Sequence, residues 1–180
     1  MPDYRRAYLK GGTFFFTVVT YRRHPIFEAE PAIDLLRRCF KLVMIEYPFN
    51  IDAIVILPDH LHCIWTLPDN DFDFSVRWRR IKASFSRNYS GSTAGDISES
   101  MRKKKERGIW QRRFWEHRIR EQEDFNRHCD YIHYNPVKHG LVDSPAEWEY
   151  SSFRKFVENG LYPESWGQTP ERDLMEMDLE

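Results

Sequence analysis

The stretch LPDHLHCIW, from Leu57 to Trp65, contains two histidines separated by one apolar residue. Because side chains alternate faces along a β-strand, His60 and His62 would point the same way, with their backbones about 7 Å apart. Two imidazoles at that spacing can bind one cation. An apolar strand gains no stability from two polar rings unless they have partners, so we interpret the pair as a candidate metal site. The alternative is two histidines satisfied by ordinary contacts.

The residues that flank the pair exclude two well-known metal motifs. A histidine-triad nucleotide hydrolase would need a third histidine where Ile64 stands, and a cupin would need a glutamate where Leu67 stands. A third ligand must therefore come from elsewhere in the chain.

The string CDYIHYNPVKHG is the best source of that ligand. Tyr131 and Asn135 are four residues apart and would share one helix face. An amide oxygen added to two imidazoles suits a divalent ion such as Mg²⁺ or Mn²⁺, and the imidazoles do not exclude Zn²⁺. Tyr134 lies about 60° from Tyr131 around the helix, so spacing leaves either phenol as a candidate nucleophile. The alternatives are a helix-terminal asparagine before proline and a packing tyrosine.

The elements that must position these residues follow from the hydrophobic pattern. In chain order it predicts a strand over 11–21, a helix from 31 ended by Pro48, a hairpin of two strands turning at 58–59, a helix within 73–90, a strand over 109–120 and a helix over 121–134 that ends at Asn135-Pro136. This order is typical of a ferredoxin-like or RRM-like α+β domain with one added helix. It predicts an antiparallel sheet with helices on one face and a free face for ligand.

Length and composition indicate one globular domain. The 180 residues are 41% hydrophobic and 16% aromatic, enough for a single core. The beginning of the chain lacks the apolar segment of a secretory signal, and three widely spaced cysteines suggest neither a disulfide framework nor a CxxC zinc site. We therefore expect a cytoplasmic protein.

The net charge of −1 conceals a strong asymmetry. From Arg77 to Arg120 there are fourteen Lys and Arg against four acidic residues, interleaved with aromatic residues, a mixture typical of single-stranded nucleic-acid surfaces or of a solvated helix face. Within it, 91–108 has few large apolar residues and is predicted to be a flexible basic loop. The last stretch, 168–180, is acidic and expected to be a disordered tail, which leaves 1–167 as the catalytic domain.

These residues also carry a family resemblance. Two histidines around one hydrophobic residue, followed by a helical tyrosine and an amide four positions later, resemble the HUH single-tyrosine transposases of the insertion-sequence 200 type. The strings YRRAYLKGGTFFFT, LPDHLHCIWTLP, WQRRFWEHRIR and DYIHYNPVKHGLV are similar to its branch of REP-associated tyrosine transposases. The match runs from about Tyr4 to Trp166.

The resemblance implies an HUH endonuclease fold and a chemistry for each matching residue. His60, His62 and Asn135 would hold Mg²⁺ or Mn²⁺, and Tyr131 would be the nucleophile that forms a 5′-phosphotyrosine. Such proteins bind a hairpin of repetitive extragenic palindromes (REP, or BIME-like) beside a guide sequence, and cut and rejoin single strands without ATP. Many insertion-sequence relatives have Gln where Asn135 stands, so the reach of this ligand is shorter. We expect a nucleoid-associated bacterial monomer, with a dimer as the alternative.

The expected DNA contacts are basic residues, together with the glycines before the first strand. They are Arg5, Arg6, Lys10, Gly11, Gly12, Arg79, Arg80, Lys82, Arg112, Arg113, Arg118 and Arg120. Three other functions stay open at this point: a noncatalytic hairpin-binding protein of the same fold, another HUH nuclease such as a relaxase, and an unrelated metal hydrolase.

Overall fold

The centre of the protein is an antiparallel sheet, seen in a computed structural model that describes residues 10–168, 172–177 and 179. Within these residues the sheet has four strands: β1 (Thr13–Val19), β2 (Asn50–Ile56), β3 (His60–Thr66) and β4 (Trp115–Arg118). Their spatial order is β2-β3-β1-β4, and all neighbours are antiparallel. The predicted ferredoxin-like topology is confirmed.

Helices connect the strands and follow the last one. They are α1 (Glu30–Glu46), α2 (Phe74–Asn88), α3 (Glu99–Lys103), α4 (Gln122–Lys138), α5 (Phe153–Glu158) and α6 (Arg172–Glu176). The first two are the crossover helices of the topology, one between β1 and β2 and the other between β3 and β4. Among the described residues, no helix is both long and apolar enough to span a bilayer.

One face of the sheet packs against α1 and α2 through large aromatic side chains. Phe16 of β1 and Trp65 of β3 lie in the same buried cluster as Trp78 of α2. The two indole rings stack with centroids 4.2 Å apart. Offset stacking of buried rings stabilises beyond the area they bury, so this face is the main core of the domain.

The opposite face is covered by α4, which corrects the prediction of helices on one face and a free face for ligand. Phe15 and Ile64 pack there with Cys129 and Ile132 of α4. The physical reason lies in β1, where the run TFFFTVV is apolar at consecutive positions rather than at alternate ones. A strand that is apolar on both sides needs cover on both sides.

The helix that carries Tyr131 is longer than predicted. Instead of ending at Asn135-Pro136, α4 continues through Pro136 to Lys138 and is closed by a hydrogen bond from His139 N to Asn135 O of 3.0 Å. A proline inside a helix removes one backbone hydrogen bond. The prediction was wrong because the turn 131–136 is fully buried, and its packing offsets that loss.

The basic segment differs from the prediction in two ways. The strand expected over 109–120 is limited to β4, with an isolated bridge between Trp110 and Thr20. The expected flexible loop contains α3, where Ser98 caps the helix and Met101 is buried. Arg107 donates hydrogen bonds to backbone carbonyls at the end of α2. Polar contacts therefore hold this segment in place although it has few large apolar side chains.

The acidic end of the chain differs from the expected disordered tail where it is described. Residues 172–176 form α6, with Leu174 buried. The three cysteines, all within the described residues, are buried and free, as the absence of paired spacings indicated.

A buried arginine ties α2 to the turn that leads into β2. The Arg77 guanidinium donates to both carboxylate oxygens of Asp71, at 2.6 and 3.2 Å, and to the backbone oxygens of Tyr47, Pro48 and Asp73. These hydrogen bonds hold the pKa of the Asp71 carboxyl below its usual value. A planar fork with five donors suits this position, and a lysine could not replace it.

We expect Arg77→Met to lower the free energy of unfolding by about 3 kcal/mol, because it leaves several acceptors without their donor. Urea denaturation at neutral pH measures the change, with Arg38→Met on the exposed side of α1 as the control, expected within about 0.5 kcal/mol of wild type. The lowered pKa means that Asp71 contributes above about pH 4 and loses its contribution as pH falls further. Equal stability of Arg77→Met and Arg38→Met would contradict this role.

Candidate active site

The two histidines of β3 are buried on the face of the sheet that α4 covers. His60 and His62 alternate with Leu61 and Cys63, which lie in the core on the other face. The exposed fractions of the two histidines are 1% and 0%, and their ring centroids are 4.9 Å apart. The strand alternation predicted from the sequence therefore brings both imidazoles to one point.

The hydrogen bonds of the two rings fix their tautomers. His60 Nδ1 lies 2.5 Å from Asp59 Oδ1, and a carboxylate can only accept, so this nitrogen carries the proton. His62 Nδ1 lies 2.9 Å from Thr17 Oγ1, whose own hydrogen is donated to the Leu179 carbonyl at 2.6 Å. The hydroxyl therefore accepts from His62. Both rings keep a lone pair on Nε2, the state in which imidazole binds a metal.

Asp59 is the orienting partner of His60. Burial opposes the ionisation of Asp59, but hydrogen bonds and charge from His60 and Arg23 outweigh it, and the pKa of this carboxyl lies below its usual value. A carboxylate that holds the second nitrogen of a ligating histidine is a common feature of metal sites. Sequence analysis assigned Asp59 to the hairpin turn and missed this role. The position of Asp59 directly before His60 was the signal that could have indicated it.

Tyr131 and Asn135 of α4 face the histidine pair. The Tyr131 ring centroid lies 5.2 Å from that of His62, and the His139 ring lies 5.1 Å from that of His60. Asn135 is four residues from Tyr131 along the helix, so helix spacing puts it on the same side of α4. The structure thus brings His60, His62 and Tyr131 together on one face, and Asn135 is fully buried one helical turn further along.

The donor set fits the divalent ion that the family resemblance implies. The Asn135 side chain is fully buried, and neither its amide nitrogen nor its amide oxygen has a hydrogen-bond partner among the described residues. Burying an unsatisfied amide costs about 1–3 kcal/mol. Two imidazole Nε2 atoms and this amide oxygen provide three ligands for a divalent metal, with further positions left for substrate oxygens or water.

Two residues after the predicted end of the helix, Lys138 and His139, also lie next to Tyr131 and His60. Lys138 Nζ lies 3.5 Å from the Tyr131 hydroxyl and 4.9 Å from its ring centroid. His139 contacts His60, as described above. Sequence analysis missed both residues because it ended the helix at Asn135. Two further helical turns place Lys138 on the face of Tyr131, seven residues away.

Tyr134, the rival nucleophile, packs elsewhere. Its ring lies 6.3 Å from that of Trp166 in an edge-to-face contact, and the Cβ position of Gly167 would approach it to 3.4 Å. Tyr131, by contrast, contacts the ring of His62. The geometry therefore favours Tyr131.

The described part of the C-terminal segment lies against the same site. Lys138 Nζ donates to the Met177 carbonyl, and Thr17 Oγ1 donates to the Leu179 carbonyl. Met177 and Leu179 pack on the apolar cluster that includes Tyr131. The tyrosine is 1% exposed as a result of its packing on the sheet and this cover.

Three of the expected DNA contacts, Arg79, Lys82 and Arg112, line a cavity on the other face of the sheet. A cavity of about 760 Å³ opens between α2 and the segment 105–114, lined by Arg79, Lys82, Arg112, Trp78, Trp110 and Phe114. Trp78 and Phe114 belong to the core face of α1 and α2, whereas Tyr131 belongs to the face of α4. The cavity and the site of Tyr131 are thus on opposite faces of the sheet.

Several of these cations have partners within the protein. Arg80 binds Glu46 and the Tyr47 hydroxyl, and Arg112 binds Glu106. Lys82 Nζ lies above two aromatic rings and donates to Gln111 O at 2.8 Å, and burial lowers the pKa of its amine to about 8.

Other expected contact residues are exposed on the same side or near the start of the sheet. Arg79, Arg113, Arg118, Arg120 and Lys10 are exposed.

The glycines before β1 have structural roles, and Arg5 and Arg6 lie outside the described residues. Gly11 adopts a φ of +64°, and a Cβ there would lie 3.1 Å from Asp69 Oδ1. Gly12 is buried, and its carbonyl accepts from Leu67 N. The backbone turn therefore explains Gly11 without a bound ligand.

Comparisons with known proteins agree with this site. The family model of IS200-like transposases matches residues 9–135. A protein of Haemophilus influenzae, named as a candidate REP-associated tyrosine transposase, is 43% identical over 95% of this chain and 96% of its own length. The REP-associated tyrosine transposase of Escherichia coli strain K12 is 45% identical over 92% of this chain and 91% of its own.

A solved structure shows the same fold with DNA. It is described as the REP-associated tyrosine transposase bound to a REP hairpin, is 43% identical, covers 95% of both chains and superposes with a TM-score of 0.77. The family match covers most of the chain, and the relatives align over nearly all of it. The chain therefore belongs to the family of IS200-like transposases, in the branch of REP-associated tyrosine transposases.

Proposed function

We propose that this protein cuts and rejoins single-stranded DNA beside a REP-type hairpin through a covalent link to Tyr131. The observation that supports the proposal is the meeting of His60, His62 and Tyr131 on one buried face of the sheet, with the buried Asn135 one helical turn after Tyr131. The substrate class comes from the relatives, which are named for REP association, and from the hairpin in the solved structure. All four residues belong to one chain, which supports action as a monomer. A location at the nucleoid in the bacterial cytoplasm follows from the proposed DNA substrate.

The nucleophile needs help at neutral pH. A tyrosine phenol has a pKa near 10, so about one molecule in a thousand is ionised. His60, His62 and Asn135 would hold the divalent ion, Mg²⁺ or Mn²⁺, which when bound would offset charge on the scissile phosphate. Lys138, 3.5 Å from the Tyr131 hydroxyl, would stabilise the phenolate as the proton leaves for water.

The reaction conserves bond energy in the protein. The Tyr131 oxygen attacks phosphorus and forms a 5′-phosphotyrosine, while the bond to the 3′ oxygen breaks and that oxygen takes a proton from water. Attack by a 3′-hydroxyl reverses the step, so rejoining needs no ATP. Because Tyr131 is buried, we expect that the phosphate reaches it only when Met177 and Leu179 move away from the apolar cluster that includes Tyr131.

The hairpin stem would use the basic surface around α2 and β4. β4 is an edge strand, and its side chains alternate between the face of α4 and the face of α2. Arg79, Arg112, Arg113, Arg118 and Arg120 would line a path from the cavity round this edge, with Lys10 beyond it. Cations that already bind neighbouring acids, such as Arg80 and Arg112, would contribute less than the others.

We expect Tyr131→Phe to abolish the denaturation-resistant adduct with a labelled REP-type hairpin in Mn²⁺, a loss of at least about 10³-fold, because it removes the attacking oxygen. Hairpin affinity should stay within twofold of wild type. Tyr134→Phe is the control and should form the adduct. Adducts formed by Tyr131→Phe would assign the role to another residue, and binding without any adduct by wild type would favour the noncatalytic alternative.

Removal of a metal ligand should slow cleavage because the ion that offsets charge on the phosphate is no longer held. His62→Ala is expected to cut the hairpin substrate at least about 10²-fold more slowly and to bind one fewer Mn²⁺ per chain in isothermal titration. A chelator should arrest the wild-type protein to the same extent. His24→Ala, outside the site, serves as the control. Undiminished cleavage in chelator would end the metal assignment.

The DNA surface can be tested through its salt dependence. Arg79→Gln combined with Arg113→Gln should weaken hairpin binding and reduce the slope of log affinity against log salt by about 2, because each phosphate contact releases counterions. Fluorescence anisotropy between 50 and 300 mM salt measures this. Arg38→Gln on α1 should leave the slope unchanged. An unaltered slope in the double variant would move the DNA away from the α2 side.

A further inference from the structure

Three side chains outside the proposed active site form a compact group of metal-binding atoms. They are His117 of β4 and Asp124 and His128 of α4, and their ligand atoms all lie within 4.8 Å of one another. His117 Nε2 lies 2.9 Å from one Asp124 oxygen, and His128 Nδ1 lies 3.1 Å from the other. The carboxylate therefore lies within about 3 Å of one nitrogen of each imidazole.

Strand register and helix spacing create this arrangement. His117 pairs with Phe15 in the sheet, so its ring points to the face that α4 covers. Asp124 and His128 are four residues apart on α4 and share the side that meets β4. The two imidazole rings stack with centroids 4.6 Å apart and planes 11° apart.

This group is separate from the His60–His62 pair. The Phe15 ring stands between them, 4.8 Å from the ring of His128 and 5.5 Å from that of His62. Asp124 is therefore not the orienting carboxylate of the proposed catalytic ligands. His128 nonetheless lies one helical turn before Tyr131.

We propose that His117, Asp124 and His128 form a second site for a divalent transition metal, which fastens α4 to β4 one turn before the nucleophile. Two imidazoles and one carboxylate suit Zn²⁺, Co²⁺ or Mn²⁺, with water completing the coordination. Ligand atoms around a tetrahedral zinc are about 3.3 Å apart, and the observed 2.9 and 3.1 Å are close to that spacing. The two stacked rings would have to rotate so that both lone pairs point at the same ion.

The protons of the group balance on binding. Without metal, His117 Nε2–H donates to the Asp124 carboxylate, and His128 Nδ1–H donates to the Asp124 backbone oxygen at 2.8 Å. Each neutral ring would move that proton to its other nitrogen and offer the lone pair to the ion. The backbone hydrogen bond of His128 is lost, and the charge of the nearby Arg127 opposes the ion. Three metal–ligand bonds offset both costs.

Access favours binding. The His117 side chain is 30% exposed and the Asp124 side chain 20% exposed, whereas that of His128 is buried. An ion can thus enter from solvent and be held against the apolar ring of Phe15. This arrangement would bind an ion whether or not the protein cuts DNA, so the inference is independent of the proposed function.

The test counts bound metal in tag-free protein. After equilibrium dialysis against Zn²⁺, we expect two ions per wild-type chain and one per chain of the His60→Gln/His62→Gln variant. Adding His117→Ala and Asp124→Asn to that variant should reduce the count to zero, whereas adding His24→Ala should leave one. Zn²⁺ should also raise the melting temperature of the His60→Gln/His62→Gln variant by a few degrees and leave the quadruple variant unchanged.

A second variant, which removes ligands of the proposed second site only, keeps the test decisive if the His60→Gln/His62→Gln variant does not fold. His117→Ala/His128→Gln in an otherwise wild-type chain should bind one Zn²⁺ instead of two, and should lose one Co²⁺ absorption component with nitrogen and oxygen ligation. Two ions retained in that variant would overturn the proposal, as would a single ion in the wild-type protein that the variant still binds. In either case the group is an ordinary ion pair between α4 and β4, and Mn²⁺-dependent adduct formation by Tyr131 is unaffected.

Discussion

The site depends on one constraint, the two-residue repeat of β3. Because successive side chains alternate, His60 and His62 leave the main core and enter the face covered by α4, while Leu61 and Cys63 fill the core on the other side. A shift of one residue in the pairing of β3 with β1 would exchange the two sets and bury both imidazoles against Phe16 and Trp78. The aromatic core thus holds the register of the site.

The second requirement is that α4 lies across that face. Apolar residues of α4 pack on Phe15 and Ile64, and the same contact presents Tyr131 to His62 and His139 to His60. Asn135 lies one helical turn after Tyr131 with its amide buried and without a described partner. The same interface therefore serves stability and chemistry. Its packing offsets the hydrogen bond lost at Pro136 and also encloses the Asn135 amide.

The surface cations divide between two purposes. Arg77, Lys82 and Arg107 hold α2 and its following segment in place, through backbone carbonyls or aromatic rings, although each belongs to the basic segment that suggested nucleic acid. Arg79, Arg113 and Arg118 remain exposed for an external anion. Charge density along the chain therefore indicates the partner class, but burial decides which cations are available to it.

The sequence by itself determined the strand order, the common face of His60 and His62, and the pairing of Tyr131 with Asn135, because these follow from local periods of two and four residues. It also carried the family resemblance. Only the tertiary structure decided that α4 covers the second face, that the helix passes Pro136, and that Asp59, Thr17 and Lys138 surround the site. Those features depend on packing between distant segments, which can outweigh a local signal such as a proline and which no local period records.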